Sequence, residues 1–101
     1  MNTYEYQFDA LGDGTRRAIL ERLLKSGPLP VGKLAEGLPV SRPAVSQHLR
    51  VLKAANLVAE KSAGTRHMYE LNPQGFRDLR EYFDRFWNEA LEAFKNKVEE
   101  Q

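Results

Sequence analysis

The sequence predicts a mainly α-helical domain with a two-stranded β-wing, the architecture of a winged helix-turn-helix. Three observations support this: a capped amphipathic helix over 41–56, a short helical segment and tight connection before it, and alternating apolar spacing behind it. With 101 residues the chain is long enough for one domain and too short for a second. We expect a single domain over 1–101, in which 8–72 form the helix-turn-helix and wing and 73–101 form a long dimerisation helix.

The segment from Ser41 to Asn56 has the pattern of a recognition helix. Ser41 suits the N-cap, Pro43 lies in the first turn, and Asn56 tolerates a left-handed C-terminal conformation. At about 100° per residue, Val45 and Leu49 share one face with Leu52. The opposite face carries Pro43, Ser46, Gln47, Arg50 and Ala54. One face can therefore pack while the other is free to contact a ligand.

Three helical segments precede this helix. Residues 4–11 predict a short helix that needs a packing partner, and Asp13 suits the N-cap of a second helix that ends at Gly27. Residues 28–38 have apolar side chains at helical spacing, although Gly32 weakens the segment. About four residues then lead into the recognition helix, as in a helix-turn-helix.

The period of the apolar pattern changes after Asn56. Residues 57–62 and 66–71 alternate as strands do, and Gly64 between them permits the positive φ of a tight turn. They predict a β-hairpin, the wing. Asn72 and Pro73 then suit the N-cap and first position of a last helix.

Apolar and aromatic residues recur every three or four positions along this last helix. At 1.5 Å per residue it would be roughly 40 Å long, more than one small domain can cover. We therefore expect a homodimer through the first and last helices, with contacts from Tyr4, Phe8, Tyr82, Phe83, Phe86, Trp87, Leu91 and Phe94. The alternative interpretation of this stripe is a pocket for an aromatic or apolar ligand.

Cysteine is absent from the chain, which excludes disulfides, thiolate metal sites and cysteine nucleophiles and fits a reducing compartment. The first eleven residues lack the pattern of an export signal, and no apolar run approaches the roughly 20 residues of a membrane span, so we expect a cytoplasmic protein. The sequence also offers no paired acid and base and no Gly-rich phosphate loop. We therefore do not expect an enzyme.

The net charge of +1 is unevenly distributed. Between residues 41 and 67, Glu60 is the single acid against Arg42, Arg50, Lys53, Lys61 and Arg66. The rest of the chain is mildly acidic. A basic middle segment is typical of a domain with one phosphate-binding surface, although a solvated charged face gives the same pattern.

Three segments, in the order of elements given above, resemble the ArsR family of bacterial winged-helix transcriptional repressors. They are TRRAILERLL, SRPAVSQHLRVLKAANLV and RHMYELNPQG, and the resemblance extends from about Phe8 to Glu92. It implies a homodimer joined through the first and last helices. It also implies that two recognition helices enter successive major grooves of an inverted repeat in double-stranded DNA.

The chain departs from the metal-sensing members of that family. Pro30 and Gly32 stand where those relatives carry a thiolate pair, and the last helix has carboxylates but no histidine. Soft metals need thiolates and zinc usually adds imidazole, so we expect neither a metal site nor a cofactor. The chain resembles the metal-independent branch of the family.

The candidate DNA-binding residues lie on the recognition helix and the wing. Gln47 can pair bidentately with adenine, Ser46 can contact base or phosphate, and Arg50 is placed to reach phosphate. Arg42 can swing to the DNA backbone or stay in solvent. The full set is Ser41, Arg42, Pro43, Ser46, Gln47, Arg50, Lys61, Thr65 and Arg66.

Two alternatives to a simple DNA-binding repressor stay open. A winged helix can bind another protein through the same face, because the fold also serves in interaction domains. Alternatively, a small molecule at the aromatic dimer interface could regulate the repressor. DNA binding through several phosphates weakens steeply with salt, whereas an apolar protein contact does not.

Overall fold

The computed structural model describes residues 3–100, so positions 1, 2 and 101 of the predicted domain lie outside the described residues. Over this range the elements are α1 (Thr3–Leu11), α2 (Gly14–Ser26), β1 (Leu29–Pro30), α3 (Val31–Ala35), α4 (Arg42–Ala54), β2 (Val58–Ala63), β3 (Arg66–Leu71) and α5 (Pro73–Glu99). The mainly helical winged helix-turn-helix predicted from the sequence is confirmed. Within residues 3–100, no helix combines the length and apolar character needed to cross a membrane.

Side-chain caps begin the three long helices where the sequence predicts them. Asp13 Oδ1 accepts a hydrogen bond from the Arg16 N–H at 3.0 Å, and Asn72 Oδ1 accepts one from the Gln74 N–H at 3.0 Å. Ser41 caps α4 in the same way. Each cap satisfies one of the amide groups that a helix start leaves without an intrahelical partner.

The inner face of α4 lies at the centre of the core. Its buried side chains are Val45, Leu49 and Leu52. Buried apolar side chains from α2, α3, the α4–β2 connection, β2 and α5 pack in the same core: Ile19, Leu20, Leu23, Leu34, Leu57, Val58 and Leu79. The apolar face predicted for this helix is therefore the buried one. As a consequence, its polar face points away from the body of the domain.

The sheet has three strands in the order β1-β3-β2, whereas the sequence predicts two. Leu29 pairs with Tyr69 and Pro30 with Met68, antiparallel to β3. A strand of two residues is too short to show alternation, and its proline suits an edge position because it has no N–H to donate. Because these two residues belong to β1, α3 begins at Val31 and is shorter than the helical segment predicted over 28–38.

Two arginines of α2 fix the end of α1. The Arg16 guanidinium donates to the carbonyl oxygens of Ala10 and Asp9 at 2.8 and 3.0 Å, and Arg17 donates to that of Leu11 at 2.7 Å. These carbonyls have no acceptor role inside the helix, because they belong to its last turn. The contacts hold α1 at a defined angle to the rest of the domain.

A close backbone contact joins the end of α4 to the start of α5. Asn56 adopts a φ of 58°, and its carbonyl oxygen accepts a hydrogen bond from the Gly75 N–H at 2.8 Å. The Leu57 carbonyl accepts one from the Asn72 N–H at 2.9 Å. A Cβ at position 75 would lie 2.4 Å from the Asn56 oxygen, so only glycine fits there.

Replacing Gly75 with alanine should lower the free energy of unfolding by about 1 to 3 kcal/mol, because the clashing atom is backbone and cannot rotate away. Gly14→Ala is the matched control, since its Cβ would meet only the flexible Arg17 guanidinium at 3.6 Å. Urea unfolding of both variants at equal protein concentration measures the difference. Equal stability of the two variants would contradict this account of the contact.

Candidate nucleic-acid interface

The outward face of α4 forms the first part of the site. Ser46, Gln47 and Arg50 are exposed on this face, whereas Val45 and Leu49 on the opposite face are buried. Among the described residues, none of the three exposed side chains has a hydrogen-bond or ionic partner. Their donors and acceptors are therefore available to a ligand.

The start of α4 presents a further three predicted residues, Ser41, Arg42 and Pro43, all exposed. The Ser41 hydroxyl accepts a hydrogen bond from the Ala44 N–H at 3.3 Å. The Arg42 side chain reaches back toward α3, where its Cζ lies 3.9 Å from the point at which a Cβ on Gly32 would stand. A longer side chain at position 32 would displace this guanidinium.

A cleft of about 800 Å³ separates α3 and the start of α4 from the tip of the wing. Lys33, Arg42 and Arg66 line it, one from each of three elements. Lys33 pairs with Glu36 at 3.6 Å, but both side chains are more than half exposed and such pairs contribute little. The sequence analysis missed Lys33, because apolar spacing alone carries no information about the polar side of a short helix.

The tip of the wing is a tight turn at Gly64, whose φ is 66° as predicted. Thr65 and Arg66 are exposed there, and among the described residues neither has a hydrogen-bond or ionic partner. Lys61 differs, since its Nζ lies 2.6 Å from Glu70 Oε1 on the neighbouring strand. Arg66 is therefore the cation of the wing without an ionic partner among the described residues, whereas Lys61 forms a surface ion pair with its side chain 70% exposed.

Glu60 connects α4 to the wing through an ion pair with Lys53 and a close contact with His67. Its Oε2 lies 2.9 Å from Lys53 Nζ, and its Oε1 lies 2.8 Å from His67 Nδ1. The hydrogen bond from Lys53 is the main cause that holds the pKa of the Glu60 carboxyl below its ordinary value. Lys53 lies on α4, Glu60 on β2 and His67 on β3, so this group of side chains joins the helix to both strands of the hairpin.

The apolar stripe forms a separate surface. Tyr82 packs against Tyr4 and Phe8 with ring centroids 5.3 and 5.1 Å apart, and Phe8 lies 6.0 Å from Phe83, which joins α1 to α5. From Phe83 onward the predicted dimer contacts of α5 are exposed to solvent: Phe83 by 53%, Phe86 by 64%, Trp87 by 63%, Leu91 by 48% and Phe94 by 67%. Large exposed apolar patches mark interaction surfaces in soluble proteins.

Comparison with known proteins agrees with this geometry. A family model described as a helix-turn-helix domain matches residues 11–61. An HTH-type transcriptional regulator of Mycobacterium tuberculosis is 54% identical, with 100% of this chain and 96% of that protein covered. The transcriptional repressor SdpR of Bacillus subtilis is 37% identical, with 82% and 91% covered.

A solved structure shows the same fold. The homodimeric winged helix-turn-helix DNA-binding domain of a possible ArsR-family regulator from Mycobacterium bovis matches with a TM-score of 0.68 at 27% identity. The match covers 90% of this chain and 83% of that one. The chain belongs to the ArsR family of transcriptional regulators. This ArsR protein carries a winged helix-turn-helix DNA-binding domain and is not an enzyme.

The pairing of Glu60 should make the stability of this ArsR protein pH-dependent. Because the pKa of Glu60 is lowered in the folded state, its contribution is fully present above its ordinary value of 4.5 and is lost as the pH falls below it. Glu60→Gln should therefore lose less stability than the parent protein between pH 6 and about pH 3.

Urea midpoints across this pH range measure the effect. Glu81→Gln, which removes an exposed carboxylate from α5, is the control and should follow the parent curve. An identical pH dependence in Glu60→Gln and the parent would show that the contacts of Glu60 do not stabilise the wing.

Proposed function

We propose that two copies of this chain bind an inverted-repeat operator and repress transcription. The observation that carries the proposal is the exposed and unpartnered polar face of α4, defined by Ser46, Gln47 and Arg50. Beside it lies a cleft whose lining has three cations, Lys33, Arg42 and Arg66, against one carboxylate, Glu36. The relative SdpR is named a repressor, and the Mycobacterium bovis domain is named a homodimer. In this proposal the regulator acts in the cytoplasm, where bacterial DNA is held.

The outward face of α4 would lie in the major groove. Gln47 would pair with adenine N6 and N7 through its amide, which is the pairing that this side chain makes best. Ser46 would contact a base or phosphate beside it. Arg50, one turn further along, would bind phosphate and therefore contribute to affinity for every sequence.

The cleft between α4 and the wing would receive a DNA strand. Lys33 of α3 and Arg42 of α4 line one side of the cleft, and Arg66 at the wing tip lines the other. Cations on two sides can neutralise neighbouring phosphates as the backbone leaves the major groove. Ser41, Pro43 and Thr65 complete the proposed contact surface at its edges.

The α5 stripe would join the two copies. The proposed dimer contacts are Tyr4, Phe8, Tyr82, Phe83, Phe86, Trp87, Leu91 and Phe94. A twofold axis through this surface would present two α4 helices to one side of a duplex, with half-site centres about one helical turn, 10 to 10.5 base pairs, or a multiple of it, apart.

Regulation of this repressor stays a prediction. Within residues 3–100, no three His, Cys, Asp or Glu side chains lie close enough together to hold a metal ion. We propose release from DNA through another signal, either a small molecule at the aromatic interface or the concentration of the protein itself. The use of the same face for a protein partner is disfavoured, because Arg42, Arg50 and Arg66 suit phosphate.

Protection of an inverted repeat in the DNA upstream of the protein's own coding sequence tests the proposal directly. We expect footprints on two half-sites and an affinity that falls steeply as salt increases. Binding without sequence preference, or binding that is insensitive to salt, would overturn it.

Gln47→Ala should weaken operator binding by an amount on the order of 1 to 3 kcal/mol and relax the preference at one base position in each half-site. Arg50→Ala should instead weaken binding to all sequences evenly and flatten the salt dependence. Titration of operator variants with single base changes separates the two effects. A Gln47→Ala protein with unchanged affinity and preference would show that another face reads the DNA.

Removing a cleft cation should reduce the number of counterions released on binding. Lys33→Ala and Arg66→Ala should each lower the slope of log affinity against log salt by roughly 0.9. Lys25→Ala, which removes an exposed cation of α2 that lines neither this cleft nor the apolar groove, should leave the slope unchanged. Equal slopes in all three variants would exclude the cleft as a phosphate site.

A further inference from the structure

An apolar groove lies where the end of α1, the outer side of α2, the end of β3 and the start of α5 meet. It holds about 400 Å³ and is lined by Leu11, Leu20, Leu24, Leu71 and Phe76, with Arg17 and Glu21 at its rim. Leu24 is 73% exposed and Phe76 is 37% exposed. An exposed leucine beside a phenylalanine in a concave, almost wholly apolar site indicates that another molecule covers the groove.

The distal part of α5 extends away from the domain. Every residue from 83 to 100 is exposed, and the described chain measures 64 Å in its longest dimension against 28 and 27 Å in the others. Phe94 and Val98 lie near the end of this extension, exposed by 67% and 54%. These side chains have no cover from their own subunit.

The groove and the extension lie on the same side of α5. Phe76, Phe83, Trp87 and Phe94 are separated by 7, 4 and 7 positions, so they stack along one face of a helix with 3.6 residues per turn. From Phe76 to Phe94 the rise is about 27 Å at 1.5 Å per residue. One continuous apolar face therefore begins in the groove and ends on the unsupported part of the helix.

We propose that this groove receives the distal end of α5 from a second copy of the chain, with Phe94 of that copy against Phe76 and Leu24. The inference rests on the homodimer under Proposed function and extends its interface from α1 and α5 onto α2. A twofold axis makes the contact reciprocal, so each copy would fill the groove of the other.

The spacing of the apolar residues fits an antiparallel pair of α5 helices. If residue 76 faces residue 94 of the second copy, the axis crosses the seam at the level of position 85, midway between them, while the Arg85 side chain lies on the opposite face of the helix. The same register sets Phe83 opposite the second copy's Trp87. Large apolar side chains then face one another along the whole seam, which is the requirement for burying the stripe.

The groove rim also suits this occupant. It presents one cation, Arg17, and one anion, Glu21, while the distal part of α5 carries Lys95 and Lys97 beside Glu99. A helix end with both signs of charge can pair at such a rim. A free apolar small molecule would gain nothing from these charges and would leave Phe94 exposed.

Cysteine cross-linking tests the register without interference, because the chain has no native cysteine. The double variant Phe76→Cys with Phe94→Cys should oxidise to a covalent dimer. A bond within one chain is impossible, since the two positions lie about 27 Å apart on one helix and a disulfide needs Cα atoms within about 7 Å. Gln74→Cys with Phe94→Cys is the control and should stay uncross-linked, because position 74 points away from the stripe.

Sedimentation of the same samples under reducing conditions shows whether a negative cross-linking result rejects only the occupant of the groove or also the homodimer. A dimer that forms without the 76–94 cross-link would overturn the proposed occupant of the groove and leave the homodimer intact. A monomer at micromolar concentration, for the unmodified protein, would overturn both the homodimer and this inference.

A second variant tests the groove by charge. Leu24→Glu should raise the dissociation constant of the dimer at least tenfold, because the carboxylate would be enclosed by the second copy. Leu24 is mostly exposed in the single subunit, so the fold should persist, which circular dichroism would verify. Ser26→Glu adds the same charge on exposed α2 surface outside the groove and should leave dimerisation unchanged. Equal dissociation constants for the two variants would overturn the proposal.

Discussion

The contact between the Asn56 carbonyl and the Gly75 amide is the constraint on which the rest of the arrangement depends. It lies where α4 ends, β2 begins and α5 starts, so three elements take their directions from one corner. The left-handed conformation of Asn56 turns the chain out of α4, and the missing side chain of Gly75 lets α5 approach. The orientation of α4, the helix proposed to face DNA, is thereby linked to that of the helix with the apolar stripe.

Gln7 strengthens this corner from the side of α1. Its fully buried amide donates to the Ala55 carbonyl at the end of α4 and to Asp78 Oδ2 on α5, each at 3.3 Å. Both bonds come from Nε2, which is thereby satisfied, whereas the buried Gln7 Oε1 has no partner among the described residues. Gln7 therefore joins α1 directly to the end of α4 and to α5.

Charge pairing divides the basic residues of the middle segment into two groups. Lys53 and Lys61 are held by carboxylates of the wing, while Arg42, Arg50 and Arg66 have no ionic partner among the described residues. The three arginines are the ones that surround the proposed path of the DNA. A count of charges along the sequence gives both groups equal weight, although the two lysines would have to leave a carboxylate partner to bind phosphate and the three arginines would not.

The sequence by itself determined the helix starts at Asp13, Ser41 and Asn72, the turn at Gly64 and the buried face of α4, because capping, turn chemistry and helical periodicity act between residues close in the chain. Only the tertiary structure decided the pairing of β1 with β3, the place of Lys33 in the cleft, the ion pair of Lys61 with Glu70 and the need for glycine at 75. Each of these depends on residues distant in sequence, and a local pattern contains no information about which distant group will be brought near.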